Sequence, residues 1–183
     1  MKLQYSGILN EIQQVLDSSN FSSCEDLINR ITTAETVVLF GAGRVGLAMQ
    51  GFAKRLRHAG FNSFYLEDCT VPKTGPGDIF IVGSGSGVTP SVVAVAEVAK
   101  TNGLDLILFT ANPASRLADM SCCTIVLNAP TKVSQLSEIT STQPMTTLFE
   151  QSLGIVLDSI VLEIIVQTGQ NLEMLKSRHN VIE

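Results

Sequence analysis

The sequence predicts an α/β fold. The expected form is a three-layer α-β-α sandwich around a five-stranded parallel sheet of order 2-1-3-4-5, preceded by N-terminal helices, in a single domain over residues 1–183. Three observations carry this. Short apolar runs alternate with segments of helical period from residue 36 to residue 127. The runs are continuously apolar, as strands covered on both faces are. The first and third runs end in glycine-rich turns, GAGR at 41–44 and GSGSGVTP at 83–90, which is where a doubly wound sheet reverses its winding.

The elements follow in order. Leu3, Ile8, Ile12, Val15 and Leu16 share one face of a helix over 3–17. Ser22-x-x-Glu25 has the capping-box pattern and opens a second helix, running to Ile31. Strands are expected at 36–40, 61–66, 79–82, 104–109 and 123–127. Helices are expected at 44–58 and 91–100, with a short one at 114–118. A polar loop at 128–143 leads into a long helix at 145–168, broken at Gly169, and a last short helix at 172–177.

With 45% hydrophobic and 16% charged residues, a chain of 183 residues can bury a full core. A net charge of −5 excludes bulk attraction to nucleic acid or to an anionic membrane surface. A small anionic ligand must therefore be held by local geometry. Cys24, Cys69, Cys122 and Cys123 form no C-x-x-C pair and the two histidines stand apart, so no metal site is expected. Reduced thiols and a cytoplasmic location are the corresponding expectation. The N-terminal residues lack the apolar core of a signal peptide. The apolar stretch 151–168 is interrupted by Asp158 and Glu163, so it reads as a buried helix and not as a membrane span.

The loop at 83–89 suits a phosphate. Ser84, Ser86 and Thr89 offer hydroxyls, Gly85 and Gly87 offer uncrowded N–H groups, and the following helix adds its positive N-terminus. The loop holds no lysine, unlike G-x-x-x-x-G-K-[ST], so a hydrolysed nucleoside triphosphate is not the expected ligand. The plainer reading is a tight turn with Thr89 as helix N-cap. Gly43 and Arg44 of the first loop face the same crevice. Residues 41–46, GAGRVG, also fit the G-x-G-x-x-G fingerprint, with Glu67 and Asp68 near the place of a ribose-binding acid. A dinucleotide-binding domain is thus an alternative at this point.

Other segments are more specific: FAKRLRHAGF at 52–61, the ExxTxP at 67–72, NP at 112–113, QPMTTLFEQSL at 143–153 and RHNVIE at 178–183. With the two glycine loops, they give a chain that resembles the sugar isomerase (SIS) domain, flavodoxin-like in fold, and within it the 6-phospho-3-hexuloisomerases. The resemblance implies an isomerase that needs no metal, nucleotide or other cofactor. Its implied reaction interconverts D-arabino-hex-3-ulose 6-phosphate and fructose 6-phosphate through a cis-enediol. It also implies a homotetramer with active sites shared between subunits. The chain departs from that family at Val45, where serine is common, at Val88, where glutamate is usual, and at Val181, an asparagine position.

Under this resemblance Glu150, set among Leu148, Phe149 and Leu153, is the general base. His179 is the second acid–base residue and reaches a neighbouring subunit's crevice. From the residues alone, Arg44 contacts the phosphate or a sugar hydroxyl, or is a surface residue at a helix start, and Glu67 orients Arg44 or binds the substrate. His58 is a cation at a helix C-terminus or an interface residue. The other reading is a regulatory module that binds a phosphosugar without catalysis, favoured by Val45 and Val88.

Overall fold

The computed structural model describes residues 3–131 and 137–182, so residues 132–136 of the expected polar loop lie outside the described residues, as does Glu183. Two helices come first, α1 (Tyr5–Ser18) and α2 (Cys24–Thr33). The capping box does not form. Ser23, not Ser22, is the N-cap of α2 and makes no side-chain cap bond, while the Ser22 amide donates to Asn20 Oδ1 at 2.9 Å. A local Asx turn has taken the place of the box.

The alternation then runs β1 (Val37–Gly41), α3 (Gly43–His58), β2 (Ser63–Tyr65), β3 (Ile79–Gly83), α4 (Pro90–Thr101), β4 (Asp105–Thr110), α5 (Arg116–Met120) and β5 (Cys123–Val126). The long α6 (Thr147–Gln167) and the short α7 (Leu172–Ser177) follow. The five strands form one sheet of order β2-β1-β3-β4-β5, and every pairing is parallel. The predicted fold and strand order are those observed. Among the described residues no helix is long and apolar enough to cross a membrane.

Every residue of β1 and β3 is buried, which is why these runs are apolar without alternation. Each fully buried Val, Leu, Ile or Phe there contributes roughly 1.5–3 kcal/mol relative to exposure. The chain leaves β1 in one direction to reach β2 and leaves β3 in the other to reach β4. Right-handed crossovers therefore place α3 and α4 on opposite faces. Helix α6 packs beside α3, with α1 against it.

β2 is shorter than the apolar run suggests. Asp68 ends it by accepting from the Tyr65 amide at 3.1 Å and donating its own amide to the Tyr65 carbonyl at 2.9 Å. Cys123 is buried at the start of β5, and burial pushes its thiol up to about 12, so it packs as a small apolar group.

The G-x-G-x-x-G pattern has a packing explanation. A Cβ on Gly46 would lie 2.5 Å from the Gly41 carbonyl oxygen, an oxygen that also accepts from the Tyr65 hydroxyl at 2.8 Å. Only glycine lets α3 start this close to β1.

Candidate active site

The site follows from strand register. Gly41, the last residue of β1, pairs with Gly83, the last of β3. The two glycine loops therefore leave the sheet side by side at its carboxyl edge, at the point where the winding reverses. A crevice of about 540 Å³ opens there, lined by both loops and by the start of α6. Its size lies within the ~300–1,000 Å³ typical of small-molecule sites.

The serine loop forms one wall. Ser84 is buried, and its hydroxyl lies 3.0 Å from Thr89 Oγ1. Thr89 is the N-cap of α4 by backbone position but makes no side-chain cap bond; Pro90 follows at N1. The Thr89 hydroxyl thus stays with Ser84 and the crevice. Ser84, Gly85, Ser86 and Thr89 all line the crevice. The amides of Gly85 and Ser86 donate to no atom among the described residues, which leaves them available to an anion.

Gly87 takes a different part from the one expected of it. Its amide donates to the Ser84 carbonyl at 3.1 Å and to Ser84 Oγ at 3.2 Å, and Gly87 does not line the crevice. Its φ is +68°, and a Cβ there would fall 2.0 Å from Ser115 Oγ. Left-handed backbone costs a side-chain-bearing residue ~1–2 kcal/mol, and overpacking a further ~1–3 kcal/mol. Gly87→Ala is therefore expected to lower the melting temperature by roughly 5–15 °C, as thermal unfolding followed by circular dichroism would show.

The opposite wall holds Gly43 and Arg44 at the start of α3, and Pro144 to Thr147 with Glu150 at the start of α6. Phe149 is buried and turned toward the serine loop, 3.2 Å from where a Gly85 Cβ would stand. This packing fixes the first turn of α6 over the crevice. The Glu150 side chain is only 12% exposed, and its Oε2 lies 2.6 Å from Arg44 Nε, whose side chain is 63% exposed. Oε2 takes no hydrogen bond of normal geometry, so the contact is one of opposite charges. Oε1 accepts from the Thr146 hydroxyl at 2.9 Å. Met145, also on this wall, has φ +62°, the one positive φ outside glycine among the described residues.

The segment before α6 is tied to α1. The Glu11 carboxylate accepts from Ser141 Oγ at 2.6 Å, Thr142 N at 2.9 Å, Thr142 Oγ1 at 2.7 Å and Gln143 Nε2 at 3.1 Å. Burial acts to raise the Glu11 carboxyl, but the hydrogen bonds from Ser141, Thr142 and Gln143 outweigh it and hold it down at about 2. Their stabilisation is complete above the ordinary carboxyl value of 4.5 and is lost as pH falls from there through about 2.

Glu67 and His179 lie outside the crevice of their own chain. Glu67 does not orient Arg44; it lines a separate hollow with Lys54 and Arg57, and the partner of Arg44 is Glu150. His179 does not line the crevice of its own chain. It is exposed, with its ring 5.0 Å from that of the buried His58, and Arg178 beside it donates to the His58 carbonyl at 3.1 Å. Of the valines that depart from the expected pattern, Val45 is buried and lines the crevice floor, whereas Val88 lies outside it. Sequence reasoning missed Thr146 and Glu11. Thr146 stands four residues before Glu150, a spacing that brings two helical side chains together; Glu11 carries no comparable signal. Among the described residues no cluster of three His, Cys, Asp or Glu side chains is placed to hold a metal ion.

A family model described as the SIS domain matches residues 30–154. A 3-hexulose-6-phosphate isomerase of Bacillus subtilis (strain 168) is 31% identical over 176 residues, which cover 96% of this chain and 95% of that one. A 3-hexulose-6-phosphate isomerase of Mycobacterium gastri is 36% identical over 157 residues, covering 86% and 78%. A crystal structure from Methanococcus jannaschii, from which a 3-hexulose-6-phosphate isomerase function was inferred, aligns with a TM-score of 0.84 at 28% identity, covering 98% of this chain and 99% of that one.

Proposed function

The chain belongs to the SIS domain family, and from that premise we propose that its crevice isomerises a phosphosugar, with D-arabino-hex-3-ulose 6-phosphate and fructose 6-phosphate as the interconverted pair. One observation carries the reading: Glu150, a largely buried carboxylate, shares a crevice of small-molecule size with the serine loop. A plain binding module has no need of such a carboxylate beside its anion cradle.

The hydroxyls of Ser84, Ser86 and Thr89, with the amides of Gly85 and Ser86, anchor the phosphate at the start of α4. Gly87 shapes the turn that presents them. Gly43 leaves the opposite rim open to the sugar. Glu150 takes the proton from C2 of the 3-ketose. The electron pair left behind forms the C2–C3 double bond, and the C3 carbonyl oxygen takes up the negative charge. Arg44 stabilises that charge. A proton then passes from O2 to O3, and Glu150 returns its proton to C3 on the same face, giving the 2-ketose. His179 of a neighbouring subunit moves the proton between the oxygens. That role makes the working form an oligomer, which we take to be a cytoplasmic homotetramer with shared sites. The exposed apolar residues Ile155, Leu162 and Val166 on α6 support such burial between subunits.

A thermal-shift panel of sugar phosphates, with NAD as a control, tests the reading, followed by an isomerisation assay in deuterated water. A hexulose phosphate is expected to raise the melting temperature and to be converted with deuterium entering the sugar carbon. Tight binding without turnover of any hexulose or pentulose phosphate would make the chain a binding module. Stabilisation by NAD alone would restore the dinucleotide alternative.

A further inference from the structure

The part-buried Glu11 of α1 spends both its carboxylate oxygens on a segment far away in sequence. That segment, residues 141–143, continues directly into Pro144, Met145 and Thr146, which line the crevice. Met145 holds a left-handed φ of +62°, a conformation that persists only where its surroundings enforce it. Thr146 donates to Glu150 Oε1. A chain of direct contacts and covalent bonds therefore runs from Glu11 through the strap to the carboxylate that faces the substrate.

We propose that Glu11 is a positioning residue, a latch that holds the 141–146 strap on α1 so that Thr146 can orient Glu150 toward the sugar. This rests on the isomerase reading of the same crevice. The latch acts on the base and leaves the phosphate anchor alone, because the serine loop stands on β3 and α4 and makes no bond to Glu11. It also gives α1, which lies outside the sheet, a part in the chemistry: its Ile12 and Val15 are buried, so the helix is a firm mount for the carboxylate.

The test uses Glu11→Gln and Glu11→Ala in the full chain, beside a loop-side pair, Ser141→Ala with Thr142→Val. On the phosphosugar that the wild type turns over, kcat is expected to fall about 10-fold, since small misplacements of a catalytic group cost one to two orders of magnitude. KM is expected to stay within about twofold, the mark of a group that acts on the base and not on the anchor. Amide hydrogen exchange over residues 142–147 is expected to speed up while that of β1 and β3 is unchanged. Combining Glu11→Gln with the loop-side pair is expected to add little to either alone, as members of one contact behave. Unchanged exchange over 142–147 in both Glu11 variants overturns the latch. Faster exchange with unchanged kcat, or a rise in KM that accounts for the whole loss, overturns the positioning role. The exchange measurement needs no turnover, so an inactive wild type overturns the isomerase reading and still leaves the latch to be judged.

Discussion

Glu150→Gln is expected to lower kcat by about two to four orders of magnitude, the usual contribution of a general base. The substitution keeps the size of the side chain and an oxygen able to accept from Thr146, so the first turn of α6 has no reason to unwind. On the proposed mechanism it removes the group that takes the C2 proton. It also deprives Arg44 of its counter-charge, and a guanidinium left facing the crevice holds an anionic ligand at least as well as before. The variant is therefore expected to keep its thermal shift with the phosphosugar while losing both turnover and the entry of solvent deuterium into the sugar. These readouts separate two roles. If Glu150 only anchored Arg44, deuterium exchange at carbon would persist in the variant. Near-wild-type turnover would remove Glu150 from the mechanism altogether.

The sheet and the place of the crevice were legible in the sequence because both follow from burial. Strands covered on both faces must be apolar throughout, and β1 and β3 are. Once the order of strands is set, the two glycine loops have only one edge of the sheet to share, and Gly41 does lie opposite Gly83. The polar contacts were less legible, since they depend on which side chains the packing brings together. Glu67 is near Arg44 in a linear reading of β1 and β2, but it belongs to a separate hollow between α3 and β2, with Lys54 and Arg57. Glu150 is remote in sequence and supplies the contact. The serine loop reads as a row of donors, yet the turn that presents them consumes the Gly87 amide. Glu11 reads as one more solvated helix carboxylate; only the return of the chain between β5 and α6 gives it four donors. The Ser22 capping box shows the converse. A local pattern was present, and a neighbouring Asx turn overrode it.

Arg44→Gln is the second large effect, and its kinetic form distinguishes three roles. Arg44 pairs with Glu150 on one wall of the crevice while most of its side chain is exposed, so it can meet the reacting oxygens, the phosphate or the base. If it stabilises the enediolate, the charge it serves exists only near the transition state. Its loss then lowers kcat and kcat/KM together, by about 10²–10³-fold, the cost of removing one well-placed oxyanion partner. If it anchored the phosphate, KM would rise with kcat held. If it served only to quiet Glu150, freeing the carboxylate would raise kcat. The expected result is the first, because on the proposed reading the hydroxyls and free amides of the serine loop already provide for the phosphate. Arg44→Lys keeps the charge but not the planar donor fork, and it is expected to recover part of the lost kcat, about 10-fold. No recovery by lysine would mean that guanidinium geometry, and not charge, does the work. A rise in KM alone in Arg44→Gln would move Arg44 to the phosphate and leave the enediolate to another group.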